Sequence, residues 1–176
     1  GARPVGEDTG LGRIREVGEA SLAGSVPPAA TTGSISSLDV LGAFADHVRS
    51  FVDVSSLAPL RIVADTANGM GGLIVPAVFS SLPFQLEIMY GELDGTFPNH
   101  PADPIQPANA EDLRRRVVEA GADVGLAFDG DADRVFLVDE KGVGLSGSTT
   151  TAIIAAGILD KNPGGTVIHN LICSRT

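Results

Sequence analysis

The chain has 176 residues, about one ordinary domain, and its 43% hydrophobic content supplies a buried core and excludes bulk disorder. The 12 Lys+Arg against 22 Asp+Glu give a formal net charge of −10, which argues against nucleic-acid and anionic-membrane partners. The single cysteine, Cys173, excludes an internal disulfide framework and fits a reducing, cytoplasmic setting; no apolar run reaches the ~18 residues of a membrane helix, and Gly1-Ala2-Arg3-Pro4 has no stretch of signal-peptide type.

Gly6 to Gly12 is turn-rich, and Arg13 to Val17 spans one short helical turn. Ala20 to Ser36 is built of Ser, Gly, Pro, Ala and Thr, so residues 1–36 read as a tail and linker. From Ser37, apolar residues from Leu38 to Val52 recur at helical spacing, with Ser36 or Ser37 as the cap. Leu60 to Asp65 reads as a strand, Thr66 to Gly72 as a turn, and the following residues to Phe79 as a short helix with Pro76 in its first turns. Phe84 to Tyr90 is a second strand. A proline-rich loop follows from Gly91 to Pro107, and Asn109 caps a helix that Gly121 ends. Asp123 to Phe128 is a third strand and Val135 to Val138 a fourth, close enough to form a hairpin. Ser148 to Leu159 is a helix, and Gly165 to Leu171 a last strand. The expected fold is α/β: a mostly parallel sheet of four to five strands, helices on both faces and one antiparallel hairpin edge, over residues 37–176.

The acid is unevenly placed. From Asp123 to Glu140 there are six acids against Arg134 alone, which is half the net charge. At its centre, Asp129, Asp131 and Asp133 alternate with Gly130 and Ala132. Small neighbours let the backbone curl, and the converging carboxylates repel unless a cation sits among them. Hard oxygen donors at a strand's carboxyl end suit Mg²⁺, and Arg134 is placed for a carboxylate or a phosphate.

Three competing readings can be weighed. In an EF-hand, Asp129, Asp131, Asp133 and Glu140 fit the first, third, fifth and twelfth places, but Arg134 stands where the loop needs glycine and Val135 to Val138 reads as a strand. An aspartyl-phosphate phosphatase would use Asp129 as nucleophile, yet Asp133 stands where that turn usually has Thr or Val. A solvated hairpin turn seldom alternates three aspartates at a buried strand end.

The segment Gly125-Leu126-Ala127-Phe128-Asp129-Gly130-Asp131-Ala132-Asp133-Arg134 resembles the metal-binding loop of the α-D-phosphohexomutases, the phosphomannomutase/phosphoglucomutase family. Val63 to Gly71, Gly95 to Pro104 and Cys173-Ser174-Arg175 resemble the same family in the same order, and Pro4 to Val17 resembles the close of its first domain. The resemblance implies a four-domain enzyme that moves a phosphoryl group between the 1- and 6-positions of a hexose through a bisphosphate, using a phosphoserine of its first domain. It implies Mg²⁺ held by Asp129, Asp131 and Asp133, with Arg134 beside the transferring phosphate. No Ser-His-Asn-Pro type segment stands for the phosphoserine loop, and no sugar-recognition loop follows. The chain therefore reads as a second domain carrying the tail of the first. It is expected to be inactive alone and to bind Mg²⁺ weakly, with the hexose phosphate and its partner contacts reached through the other domains. A phosphatase and a stand-alone metal- or ligand-binding module are the alternatives. One departure is Ser148, where the family commonly has an acid; here it is expected to cap the helix.

The turn Asn68-Gly69-Met70-Gly71-Gly72 offers backbone N–H groups to an anion. It fails the dinucleotide pattern at Ile74 and lacks the Lys-Ser/Thr of a P-loop, so a structural turn is favoured, with Asp65 capping it. His47 reads as a surface residue, His100 as a local hydrogen-bonding residue and His169 as structural. Arg175 is assigned to a domain interface, and Cys173 has no base beside it.

Overall fold

The computed structural model describes residues 3–27, 29–31 and 33–174. Arg175, assigned from sequence to an interface, lies outside them. The described residues form two compact units, Gly1–Leu38 and Asp39–Thr176.

In the first unit a 3₁₀ turn, Glu7–Thr9, leads into helix α1, Leu11–Leu22. The helix is longer than the single turn expected at Arg13 to Val17. Glu16, Glu19 and Ala20 are helix formers, and nothing breaks the run before Gly24, whose φ of 71° is left-handed. None of its residues is buried.

The second unit contains α2 (Leu41–Arg49), β1 (Leu60–Asp65), α3 (Gly71–Phe79), β2 (Phe84–Met89), α4 (Glu111–Ala120), β3 (Val124–Phe128), β4 (Val135–Asp139) and α5 (Gly147–Lys161). The four strands form one sheet in the order β2-β1-β3-β4. β1 pairs in parallel with β2 and β3, while β3 and β4 form the antiparallel hairpin. The central strand β1 reads Ile62-Val63-Ala64-Asp65, all buried, as a strand covered on both faces must.

Helix α4 covers one face. Val63, Gly125 and Val138 share a row in register, and a Cβ on Gly125 would lie 2.7 Å from Val117 Cγ2 and 3.2 Å from Leu113 Cδ1. Only glycine lets α4 come this close, and Val63, Leu113, Val117, Ala122, Ala127 and Val138 form the core. Alternation points Leu126 and Phe128 to the other face, where α3 begins with Gly71 against the Phe128 side chain. Pro76 is the sixth of the nine residues of α3, deeper than its first turn.

Several helix ends differ from expectation. α2 starts after Val40, with Asp39 accepting from the Leu41 N–H, so neither Ser36 nor Ser37 caps it. The N-cap of α4 is Ala110, because a 3₁₀ turn over Pro107–Ala110 precedes it, and the Asn109 amide instead donates to the Asp103 carbonyl. Gly121 ends α4 at φ 57°, as expected. Ser146 rather than Ser148 caps α5: its backbone is still extended and its Oγ accepts from the Thr149 N–H. Ser148 lies inside the helix and accepts from the Ser174 N–H.

Residues 165–171 form no strand. A β-strand exists through a hydrogen-bonded neighbour, and among the described residues no strand pairs with this segment. Ile168, Leu171 and Ile172 stay 90–92% exposed. No helix among the described residues is long and apolar enough to cross a membrane.

Candidate metal centre

The strand order places the site. β1 connects through α3 to β2 on one side, and the chain then crosses β1 to reach β3 on the other. Loops leaving adjacent strands in opposite directions open a crevice at the carboxyl edge. The segments 63–71, 95–104 and 125–134 meet there.

The acidic loop is the turn of the β3–β4 hairpin. Its neck is closed by the Asp129 N–H donating to the Arg134 carbonyl at 3.3 Å, and the Ala132 N–H donates to the Asp129 carbonyl at 3.1 Å. Asp129, Asp131 and Asp133 each offer a carboxylate oxygen, all within 4.8 Å of one another. Asp129 is buried at 1% exposure, while Asp131 and Asp133 face solvent.

Arg134 binds Asp129 three times. Its backbone N–H donates to Oδ1 at 3.1 Å, Nε donates to Oδ2 at 2.8 Å, and an Nη lies 2.7 Å from the same Oδ2. It also lies 3.4 Å from Asp133 Oδ1. Burial by itself would raise the Asp129 carboxyl, but the Arg134 N–H and guanidinium outweigh it and hold Asp129 below the usual carboxylate range. Three carboxylates and one guanidinium leave two negative charges uncompensated. Hard oxygens with that surplus fit a divalent cation.

The turn after β1 braces this loop. Met70 N–H donates to the Gly130 carbonyl at 2.9 Å, and Gly69 packs directly on Gly130. Asn68 ties in the proline-rich segment: its carbonyl accepts from Asp94 N–H, its Oδ1 accepts from Asn99 and its amide donates to the Glu92 carbonyl. The turn is structural, and Asp65 caps it by accepting from the Ala67 N–H at 2.9 Å. Phe97 and Ala102 lie against Gly130 from the other side.

All five non-glycine residues with left-handed backbone among those described are in or beside these loops: Ala67, Asn68, Tyr90, Phe97 and Ala132. Such residues store strain, and they gather where structure serves function. Ala132, at φ 60°, has no side chain able to offset its cost. Ala132→Gly is expected to raise stability by about 1 kcal/mol in urea denaturation, with the loop unchanged by NMR.

The three aspartates grouped by the sequence lie together in the structure with Arg134 beside them, and Asp65 caps its turn as expected. Sequence reasoning missed the Asp65–His100 pair, in which His100 Nε2 lies 3.0 Å from Asp65 Oδ2, and the Gly69–Gly130 contact. The available signal was that both lie in the segments that carry the family resemblance. His47 is exposed, as expected.

Fold and site together define an α/β domain with a metal-competent aspartate turn at the carboxyl edge of its sheet. Residues 42–143 match the family model described as "Phosphoglucomutase/phosphomannomutase, alpha/beta/alpha domain II". The chain belongs to the phosphoglucomutase/phosphomannomutase family. It is 38% identical over 177 residues to a "Phosphomannomutase" of Salmonella montevideo, covering 97% of this chain and 38% of that protein. It is 40% identical to "Phosphohexose mutases" of Xanthomonas campestris pv. campestris, covering 96% of this chain and 37% of that one. A crystal structure of a phosphoglucomutase/phosphomannomutase family protein from Burkholderia thailandensis superposes with a TM-score of 0.73 at 28% identity, over 93% of this chain and 35% of that one. The chain thus spans little more than a third of the length of these relatives.

Proposed function

We propose that this chain supplies the Mg²⁺-holding second domain of an enzyme that interconverts hexose 1-phosphate and hexose 6-phosphate. The observation that carries the proposal is the gathering of Asp129, Asp131 and Asp133 at the sheet's carboxyl edge, inside the stretch that matches domain II. These carboxylates would hold Mg²⁺, and the cation would offset charge on the phosphoryl oxygens. Arg134 is half exposed and lies beside the aspartates, which supports a role for its guanidinium toward a substrate phosphate. Residues 1–36 are read as the end of a preceding domain. The phosphoserine that gives and recovers the group, and the loops that choose the sugar, are assigned to other domains of the parent enzyme, which is taken to be cytoplasmic.

The phosphatase alternative needs Asp129 as a free nucleophile. Its burial and the engagement of both its oxygens by Arg134 weigh against that role.

Titration of the ¹⁵N-labelled chain with Mg²⁺ tests the proposal. The amides from Asp129 to Arg134 are expected to shift, with a dissociation constant weaker than about 1 μM because the serine phosphate is lacking. Glucose 1-phosphate is expected to remain unconverted by the chain alone. Silent loop amides at saturating Mg²⁺, or measurable conversion, would overturn it.

A further inference from the structure

The Asp65–His100 pair lies apart from the acidic loop. Asp65 ends β1 with its side chain 2% exposed, and the His100 side chain is 15% exposed. Each ring nitrogen faces an oxygen: Nδ1 lies 3.0 Å from the Pro101 carbonyl, and Nε2 lies 3.0 Å from Asp65 Oδ2. The other carboxylate oxygen accepts from Ala67 N–H. A carbonyl only accepts, so Nδ1 must carry a hydrogen. The second contact then needs another proton, on Nε2 or on Oδ2. Without it, a ring lone pair would oppose a carboxylate oxygen. The closed pair therefore holds a proton beyond the Nδ1–H and is electrically neutral as a whole.

Its surroundings are consistent with this. Tyr90, just after β2, stands edge-on to the His100 ring with centroids 5.3 Å apart. Tyr90 donates to Asp112 of α4 at 2.8 Å, and Arg115 of α4 pairs with Asp112. The Asp112 hydrogen bond and burial push the Tyr90 hydroxyl up to about 12, so it stays neutral. Burial raises the Asp65 carboxyl, with Ala67 N–H and His100 opposing.

The pair is one of two fastenings of the proline-rich segment. Asn68 holds Asp94 and Asn99, and Asp65 holds His100. Phe97 lies within the span that Asn68 holds, between Asp94 and Asn99 and three positions before His100, and Ala102 lies just beyond His100. A Cβ on Gly130 would sit 3.3 Å from Phe97 Cζ and 3.5 Å from Ala102 Cβ.

We infer that His100 is a positioning residue for the acidic loop: clamped by a shared proton between Asp65 and Pro101, it holds Phe97 and Ala102 against Gly130 and so keeps the aspartates gathered. This rests on the reading that the loop holds a divalent cation. The sign follows from the raised Asp65 carboxyl. Its contribution is complete below the ordinary carboxylate value and is lost as pH rises through the raised one.

Asp65→Asn separates this from a merely structural contact. The amide oxygen takes the Ala67 N–H, and the amide nitrogen donates to a neutral ring at Nε2, so the clamp closes without the extra proton. The Phe97 ring to Gly130 Hα nuclear Overhauser effect and Mg²⁺ affinity would be followed as pH rises from the ordinary carboxylate value, about 4, to about pH 9. The wild-type chain is expected to lose the Overhauser effect, and on the order of tenfold in affinity, toward high pH. Asp65→Asn is expected to keep both, and His100→Ala to show both reduced at every pH. An intact Overhauser effect in His100→Ala, or the wild-type pH profile in Asp65→Asn, would overturn the inference. If His100→Ala does not fold, wild type against Asp65→Asn still decides. If the wild-type chain shows no Mg²⁺ response, the cation reading fails while the Overhauser series still decides the positioning.

Discussion

Asp129→Asn is expected to weaken Mg²⁺ binding by about a hundredfold or more and to cost about 2 kcal/mol of stability. The side chain is buried, and it answers both the N–H and the guanidinium of Arg134. An amide keeps the shape but offers an N–H where Arg134 already presents donors. The stability figure stays modest because Arg134 is 54% exposed, so water screens the pair and solvates the freed guanidinium. The pH dependence has a definite sign. The Asp129 carboxyl is depressed in the folded chain, so its contribution is present above the ordinary carboxylate value and is lost as pH falls through the depressed one. Urea denaturation at neutral and acid pH should therefore show a shallower acid loss in Asp129→Asn. Asp131→Asn and Asp133→Asn, which face solvent, should weaken Mg²⁺ binding and leave stability nearly unchanged.

Gly69→Ala is expected to cost about 3 kcal/mol and to reduce Mg²⁺ affinity with it. The added Cβ would fall 2.5 Å from the Gly130 carbonyl oxygen and 2.9 Å from its Cα. Both are backbone atoms, so no side chain can turn aside. The turn and the acidic loop must part, and the Met70 N–H bond to Gly130 is lost with them. Gly95→Ala makes the control, since a Cβ there meets nothing within 4 Å. Its stability should stay within about 0.5 kcal/mol of wild type by urea denaturation.

The four strands were legible because each is a short apolar run bounded by turn residues, and each lies within a residue of its expected limits. The acidic loop was legible for a different reason. Three aspartates at alternating positions after an apolar strand have few uses besides a cation. Helix starts were poorly legible at Ser37, Asn109 and Ser148. A cap is fixed by where the backbone leaves the extended region, and a nearby capping side chain does not decide that place. The apolar run at residues 165–171 looks like a strand in isolation, but pairing is a property of the neighbour. The braces of the site were hidden for the same reason. Asp65 meets His100 across 35 positions, and Gly69 meets Gly130 only once β1 and β3 are set side by side.

The bond from Met70 to Gly130 has an electrostatic consequence. Met70 is the N-cap of α3, so the positive end of that helix abuts the backbone of the acidic turn. The β3–β4 turn opens into a strand and has no helix of its own. It borrows the field of its neighbour's helix, which tempers the mutual repulsion of the aspartates before any cation arrives. The aspartate turn can thus keep its shape with no cation among its carboxylates.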